Sequence, residues 1–129
     1  MPIAYTVDRV HNIINESWTG TVTAGELAAY WRTYLTDPEV MRCRRTLVDL
    51  LDAHVAFTGA ELSTLIEAIA RPAIQNRTWA TAILVSAPVA YGVSRQYQVF
   101  SEQYSRDAIF TDRDAALAWL VAQNPDAVR

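Results

Sequence analysis

The chain predicts an α/β domain, a mixed, mostly parallel sheet of about five strands in the order β-β-α-β-α-β-α-β-α, with helices packed on it. Three observations carry that prediction. Short runs with strand character alternate with longer stretches in which apolar residues recur at helical spacing. Two of the helical stretches open on the same pattern, Thr23 with Glu26 and Thr58 with Glu61. In such a capping box each side chain satisfies one amide of the first turn. Residues 79–86, WATAILVS, are apolar at successive positions, as expected of a strand covered on both faces.

Taken in order, Ile3, Tyr5 and Val7 alternate with Ala4, Thr6 and Asp8, the period of a half-buried strand. Asp8-Arg9 predicts a turn, and residues 10–18 a second strand that closes an N-terminal hairpin and ends at Gly20. Val22 and Leu27 flank the first capping box as a hydrophobic staple, and Leu27, Tyr30, Trp31, Tyr34 and Leu35 form one helical face. Asp37-Pro38 closes that helix, because the residue before proline is pushed out of the helical region. Residues 46–51 predict the third strand, and a loop leads from it to Thr58. Phe57 and Leu62 staple the second helix, whose face is Leu62, Leu65, Ile66, Ile69 and Ala70 and which Pro72 bounds. Ser86 and Pro88 start a third helix that runs to about Tyr104. Residues 107–110 predict a short fifth strand. Thr111 and Asp114 open a last helix with Ala116, Trp119 and Leu120 on one face. Asn124-Pro125 ends the folded part, and residues 124–129 are expected to fray. No linker, repeat or low-complexity stretch interrupts the pattern, so one domain is expected over residues 1–129.

Composition narrows the chemistry. Of the residues, 51% are hydrophobic, yet no apolar run approaches the length of a membrane span. The N-terminus lacks the basic start and apolar core of a signal peptide, and Cys43 is alone, so no internal disulfide and a cytoplasmic location are expected. A net charge of −3 argues against a nucleic-acid partner. All 11 Lys+Arg residues are arginines, which excludes a lysine Schiff base and a phosphate-loop lysine. No HxxxH, CxxC or Asp-rich loop is present, so His11 and His54 read as surface or loop residues and no metal is expected. Ser86, Ser94, Ser101 and Ser105 lack a nucleophile-elbow context, and no glycine-rich phosphate loop follows a strand. Neither a catalytic residue nor a cofactor is assigned. Cys43 lies between Arg42 and Arg44, neighbours that lower a thiol pKa.

Four segments together point to a family. They are Trp18-Thr19-Gly20-Thr21-Val22-Thr23, Leu47-Val48-Asp49-Leu50, Tyr91-Gly92-Val93-Ser94-Arg95, and Phe110-Thr111-Asp112 continuing through Ala116, Leu117, Trp119 and Leu120. In this order the chain resembles the STAS domains, the fold of the sporulation anti-sigma-factor antagonists. More closely it resembles the small bacterial antagonist-like proteins, whose sheet is related to that of the CRAL-TRIO, or SEC14-like, lipid-transfer proteins. The resemblance spans nearly the whole chain. It implies a regulatory module working through a protein partner, or carriage of an apolar ligand. In the antagonists the loop after the central strand carries Asp-Ser-Ser-Gly, whose first serine is phosphorylated. The matching stretch here is Ala56-Phe57-Thr58-Gly59-Ala60, in which Thr58 is nearest to the phosphoacceptor and the capping box already accounts for it.

The third helix carries two stripes. Val93, Tyr97, Phe100 and Tyr104 are expected to face the sheet, whereas Tyr91, Arg95, Val99 and Glu102 form an outer stripe suited to contact. Arg95 has the geometry to bind a carboxylate or phosphate with two hydrogen bonds. Asp52 and His54, in the expected loop before the second helix, complete the candidate binding residues with Tyr91, Arg95, Tyr97 and Phe100. The expected function is a non-enzymatic regulatory or binding module acting through a protein partner or a small ligand. The alternative is a carrier or sensor of an apolar or anionic lipid-like ligand. Tyr30, Trp31, Tyr34, Tyr97, Phe100 and Tyr104 would then line its cavity, and Arg95 would hold an anionic head group. Arg42, Arg44 and Arg45 read as a solvated loop and, beside the aromatic first helix, suggest peripheral membrane contact, while the exposed hairpin edge suggests a homodimer.

Overall fold

Five strands form one sheet in the order of the sequence, β1 (Ile3–Asp8), β2 (Ile13–Thr23), β3 (Arg45–Ala56), β4 (Trp79–Leu84) and β5 (Ser105–Phe110). β1 pairs antiparallel with β2, and every other neighbouring pair is parallel. The helices are α1 (Ala24–Tyr34), α2 (Pro38–Cys43), α3 (Gly59–Leu65), a π-helical turn (Ile66–Ala70), α4 (Arg71–Ile74), α5 (Pro88–Phe100) and α6 (Arg113–Ala122). The computed structural model describes residues 2–74, 78–102 and 104–123, so the expected fraying of 124–129 lies outside the described residues.

The sheet is covered unequally. α1, α3, α4 and α5 pack on one face, where Ile14, Trp18 and Val22 of β2 meet Leu27 and Trp31 of α1, Leu62 of α3 and Ile66 of the π turn. α6 packs on the other, where Ala116 and Leu120 meet Ile13, Leu47, Ala80 and Ala82. Alternate residues of a strand face opposite sides, so Ile14, Glu16 and Trp18 share the thicker layer while Ile13 points to α6. All six residues of β4 are buried, Thr81 among them, as expected of a strand covered on both faces.

Several boundaries differ from the sequence pattern for local reasons. The Asp8 carboxylate accepts the Val10 and His11 amides at 3.0 and 3.2 Å, and Asn12 adopts φ 56°. Residues 9–12 therefore form the turn, and β2 begins at Ile13 rather than Val10. Gly20, at φ 68°, does not end the strand; it pairs with Ala53, and β2 continues to Thr23. β3 likewise runs past Leu51 to Ala56, because every residue of β2 from Thr19 onward has a parallel partner there. The pairing steps from Ser17↔Asp49 to Thr19↔Asp52, so β3 carries one extra residue at this bulge. Asp52 and His54 thus stand on a strand, not in a loop.

α2 is absent from the sequence reading. Asp37 accepts the Glu39 amide at 2.9 Å with Pro38 at the first helical position, so the dipeptide that ends one helix begins the next. The arginine run is accordingly not a solvated loop. Arg44 closes α2 at φ 54°, and the Arg45 guanidinium donates to the carbonyls of His11, Val121 and Gln123 at 2.7, 3.2 and 2.9 Å. Pro72 does not bound its helix either. An interior proline collides with the carbonyl four residues before it, and the chain widens into the π turn ahead of Pro72, after which α4 continues to Ile74. α5 starts from Ala87 without a side-chain cap, so Ser86 does not cap it, and it stops at Phe100 rather than Tyr104. β5 begins at Ser105, two residues earlier than expected. Asp112, not a Thr111–Asp114 box, caps α6 by accepting the Asp114 and Ala115 amides.

Candidate functional site

Between the sheet and the layer made by α1, α3, α4 and α5 lies a cavity of about 90 Å³. That is room for about three waters, or for a small organic molecule. Leu27 and Trp31 of α1, Leu50 and Val55 of β3, and Val93 of α5 supply its apolar walls. The π turn contributes only the methyl group of Ala70 on its side, and Ile74 follows one turn later. Space survives because the turn is wide where the side chain is small.

Glu16 is the charged residue in this lining, and it is 5% exposed. Its two oxygens are each taken by a fixed donor, the Trp18 indole N–H at 2.7 Å and the Tyr30 hydroxyl at 2.8 Å. Burial pushes the Glu16 pKa up, against the pull of those two donors. Burial, with the nearby Glu16 charge, also holds Tyr30 and Tyr34 far above an ordinary phenol. Nearby, the Tyr34 hydroxyl and Thr46 Oγ1 are 2.7 Å apart, and the Trp79 indole N–H donates to Thr46 Oγ1 at 3.2 Å. Ser94 Oγ donates to the Ala90 carbonyl at 2.7 Å.

A second carboxyl, partly buried, adjoins the cavity through Thr81. Asp107 receives Ser101 Oγ at 2.5 Å and Ser105 Oγ at 2.6 Å, with Thr81 as a third hydroxyl neighbour. Burial outweighs these hydroxyls and raises its pKa to about 6. Ser101 Oγ also lies 2.7 Å from the Tyr97 carbonyl. One hydroxyl proton serves one such bond well, so a proton on Asp107 fits the short contact to Ser101.

The residues expected to form a site fall in three separate places. Tyr97 lines the cavity with Trp31 and Tyr34, while Tyr30, Phe100 and Tyr104 do not, although all three pack in the same layer. Tyr91 and Arg95 are exposed on the outer side of α5, and Arg95 Nη1 donates to Gln98 Oε1 at 3.1 Å. Arg95 therefore does not reach the cavity, and the expected head-group contact from it is corrected. Asp52 and His54 are exposed on β3, paired beside Thr19 and Thr21, and do not converge with the others. Cys43 is 2% exposed, and its pKa is raised by burial, which outweighs Arg42 and reverses the expected lowering. Among the described residues no three His, Cys, Asp or Glu side chains gather as a metal site, and no helix is long and apolar enough to cross a membrane.

Thr58 caps α3. Its Oγ1 accepts the Glu61 amide at 3.1 Å, and Glu61 Oε1 accepts the Thr58 amide at 2.9 Å. Thr58→Ala is expected to cost about 1 kcal/mol in urea denaturation and Thr58→Ser much less. Equal losses in the two variants would show that the cap is not what Thr58 supplies.

Glu16 and Asp107 escaped the sequence reading. A signal for Glu16 was present, since it stands in phase with Ile14 and Trp18 on an alternating strand and so predicts an inward carboxyl. Asp107 had no comparable signal, because its strand was read two residues short.

No protein-family model and no curated protein matches the sequence. The structure is similar to the crystal structure of an uncharacterized protein of the DUF3478 family with a SpoIIAA-like fold, from Shewanella loihica PV-4. The two are 16% identical, with a TM-score of 0.59 over 92% of this chain and 93% of that one. The sheet of one antiparallel and three parallel pairs, with its helices, agrees with that likeness. The chain has a SpoIIAA-like fold of the STAS type.

Proposed function

We propose that the protein is a non-enzymatic binding and regulatory module of the anti-sigma-factor-antagonist-like type, which holds a small ligand in its cavity and presents α5 to a protein partner. The cavity carries this reading. Pockets that are mostly apolar with a few convergent polar groups are the usual form of a small-molecule site, and this one has Glu16, Thr46, Thr81 and Ser94 in its wall. α5 links the two roles. Val93, Ser94 and Tyr97 face the cavity, whereas Val89, Tyr91 and Val99 are 60%, 45% and 61% exposed on the same helix beside Arg95. An occupant that shifts α5 alters the surface a partner meets.

The likeness to a SpoIIAA-like protein supports the type of module. A small apolar molecule suits the volume better than a whole lipid, whose chain needs the helices to part. Native mass spectrometry of the protein taken from its own cells, with pull-down by wild type and by a Tyr91→Ala/Arg95→Ala variant, tests the proposal. The expected result is a retained small molecule, and a partner lost with the double substitution. Reproducible turnover by the purified protein, abolished by a point change in the cavity wall, would overturn it.

A further inference from the structure

The cavity's unused hydrogen-bonding capacity and its charge define what it can hold. Most of its donors are already committed inside the protein. The Trp18 and Tyr30 protons go to Glu16, the Trp79 proton to Thr46, the Ser94 proton to the Ala90 carbonyl, and Thr81 bonds Asp107. Left over in the lining are one hydroxyl proton of the Tyr34–Thr46 pair and the Trp31 indole N–H, both uncharged, while the Tyr97 hydroxyl meets Tyr104. Acceptors are in surplus, because a carboxylate has room for about four hydrogen bonds and Glu16 uses two.

Charge points the same way. Among the described residues the ionisable groups in the lining are Glu16, Tyr34 and Tyr97, with no arginine or histidine. Arg95 is held by Gln98 on the outside of α5. An anionic group inside would sit beside Glu16 without a counter-cation, at a cost that burial makes large.

We propose that the cavity takes a small apolar molecule carrying a hydrogen-bond donor, an alcohol or a primary ammonium group, which donates to Glu16, and that it rejects anions. This rests on the reading of the cavity as a ligand site. It reverses the anionic head group that the lipid-transfer resemblance implied, and it assigns Glu16 the role of setting specificity.

The test uses four probes of one shape at pH 8, namely cyclopentanol, cyclopentylamine, cyclopentane and cyclopentanecarboxylate. Binding is read from the fluorescence of Trp18, Trp31 and Trp79 in the wall and from backbone NMR shifts. The alcohol and the amine are expected to bind at least about tenfold tighter than the hydrocarbon, the worth of one hydrogen bond to a charged group, and the carboxylate not at all. Glu16→Gln is expected to lower alcohol affinity about tenfold and leave cyclopentane unchanged, and Ala70→Leu to abolish binding of every probe. If the carboxylate binds as well as the alcohol, or Glu16→Gln leaves the alcohol unaffected, the ligand class is overturned while the cavity remains a binding site. If no probe binds, cyclopentane included, the cavity reading fails with it. Should Glu16→Gln not fold, the four-probe ranking on the wild type decides alone.

Discussion

Replacing Asp107 by asparagine is expected to raise the melting temperature at pH 8 by about 10 °C and to leave it nearly unchanged at pH 4. The argument is one of linkage. The carboxyl titrates near 3.8 when unfolded and at about 6 when folded, because it is buried. Between those values the folded protein binds more protons than the unfolded chain, so stability falls as pH rises. The loss is complete above pH 6 and amounts to about 3 kcal/mol at roughly 1.4 kcal/mol per unit of pKa. Asparagine removes the charge and keeps the bonds. Its Nδ2 donates to Ser101, whose own proton then serves the Tyr97 carbonyl, and its Oδ1 accepts from Ser105. Burial acts on Glu16 in the same direction.

Asp8 and Asp37 oppose this trend. Hydrogen bonds from His11 and from Tyr5 hold them below the ordinary carboxylate value, so they contribute stability that is lost as pH falls through the acid range. Wild-type stability is therefore expected to peak between about pH 4 and 6. Melting curves of both proteins across pH 3.5–8 check the whole profile. Equal gains for Asp107→Asn at pH 4 and pH 8 would show that the buried charge is not the cause.

The second large effect is at Glu16. Glu16→Leu is expected to cost about 3 kcal/mol and Glu16→Gln less than about 1 kcal/mol, measured as the shift in the urea midpoint at pH 8. Leucine leaves two buried donors, the Trp18 indole and the Tyr30 hydroxyl, without their acceptor. Each such loss costs about 1–3 kcal/mol, partly offset because a carboxylate no longer has to be buried. Glutamine keeps a hydrogen bond to each neighbour, at the cost of turning Tyr30 from donor to acceptor. The indole can only donate and so takes the amide oxygen, while the amide N–H₂ donates to the Tyr30 oxygen. Adding Tyr30→Phe to Glu16→Leu removes one of the stranded donors and is expected to recover part of the loss. A Glu16→Leu protein as stable as wild type would mean the carboxyl is not the group these donors require.

The elements that local chemistry determines were legible in the sequence. Both Thr-x-x-Glu boxes close as read, and Phe57 and Leu62 are buried in one cluster, as a staple requires. The order of strands and helices was legible for the same reason. What was not legible depends on partners far along the chain. β3 continues through Asp52, Ala53, His54 and Val55 because β2 lies beside it, and neither alanine nor aspartate favours a strand unaided. Arg45 reads as one of three solvated cations until the chain brings the carbonyls of Val121 and Gln123 to it. The site divides in the same manner. Tyr97 was found from periodicity, but helical spacing cannot tell that Arg95, two residues earlier, points away from the same cavity.

The π turn at Ile66–Ala70 gives the cavity an unusual kind of parent. Most internal spaces depend on which side chain occupies a position, and a single larger residue closes them. This wall also depends on how many residues are threaded through it, since a π turn closes its hydrogen bonds one residue further along than an α turn. Its dimensions are set partly by chain length, a property that changes by insertion and deletion rather than by substitution. Relatives that have lost one residue between Leu65 and Arg71 would keep the same fold and the same side chains facing inward, yet hold a different volume.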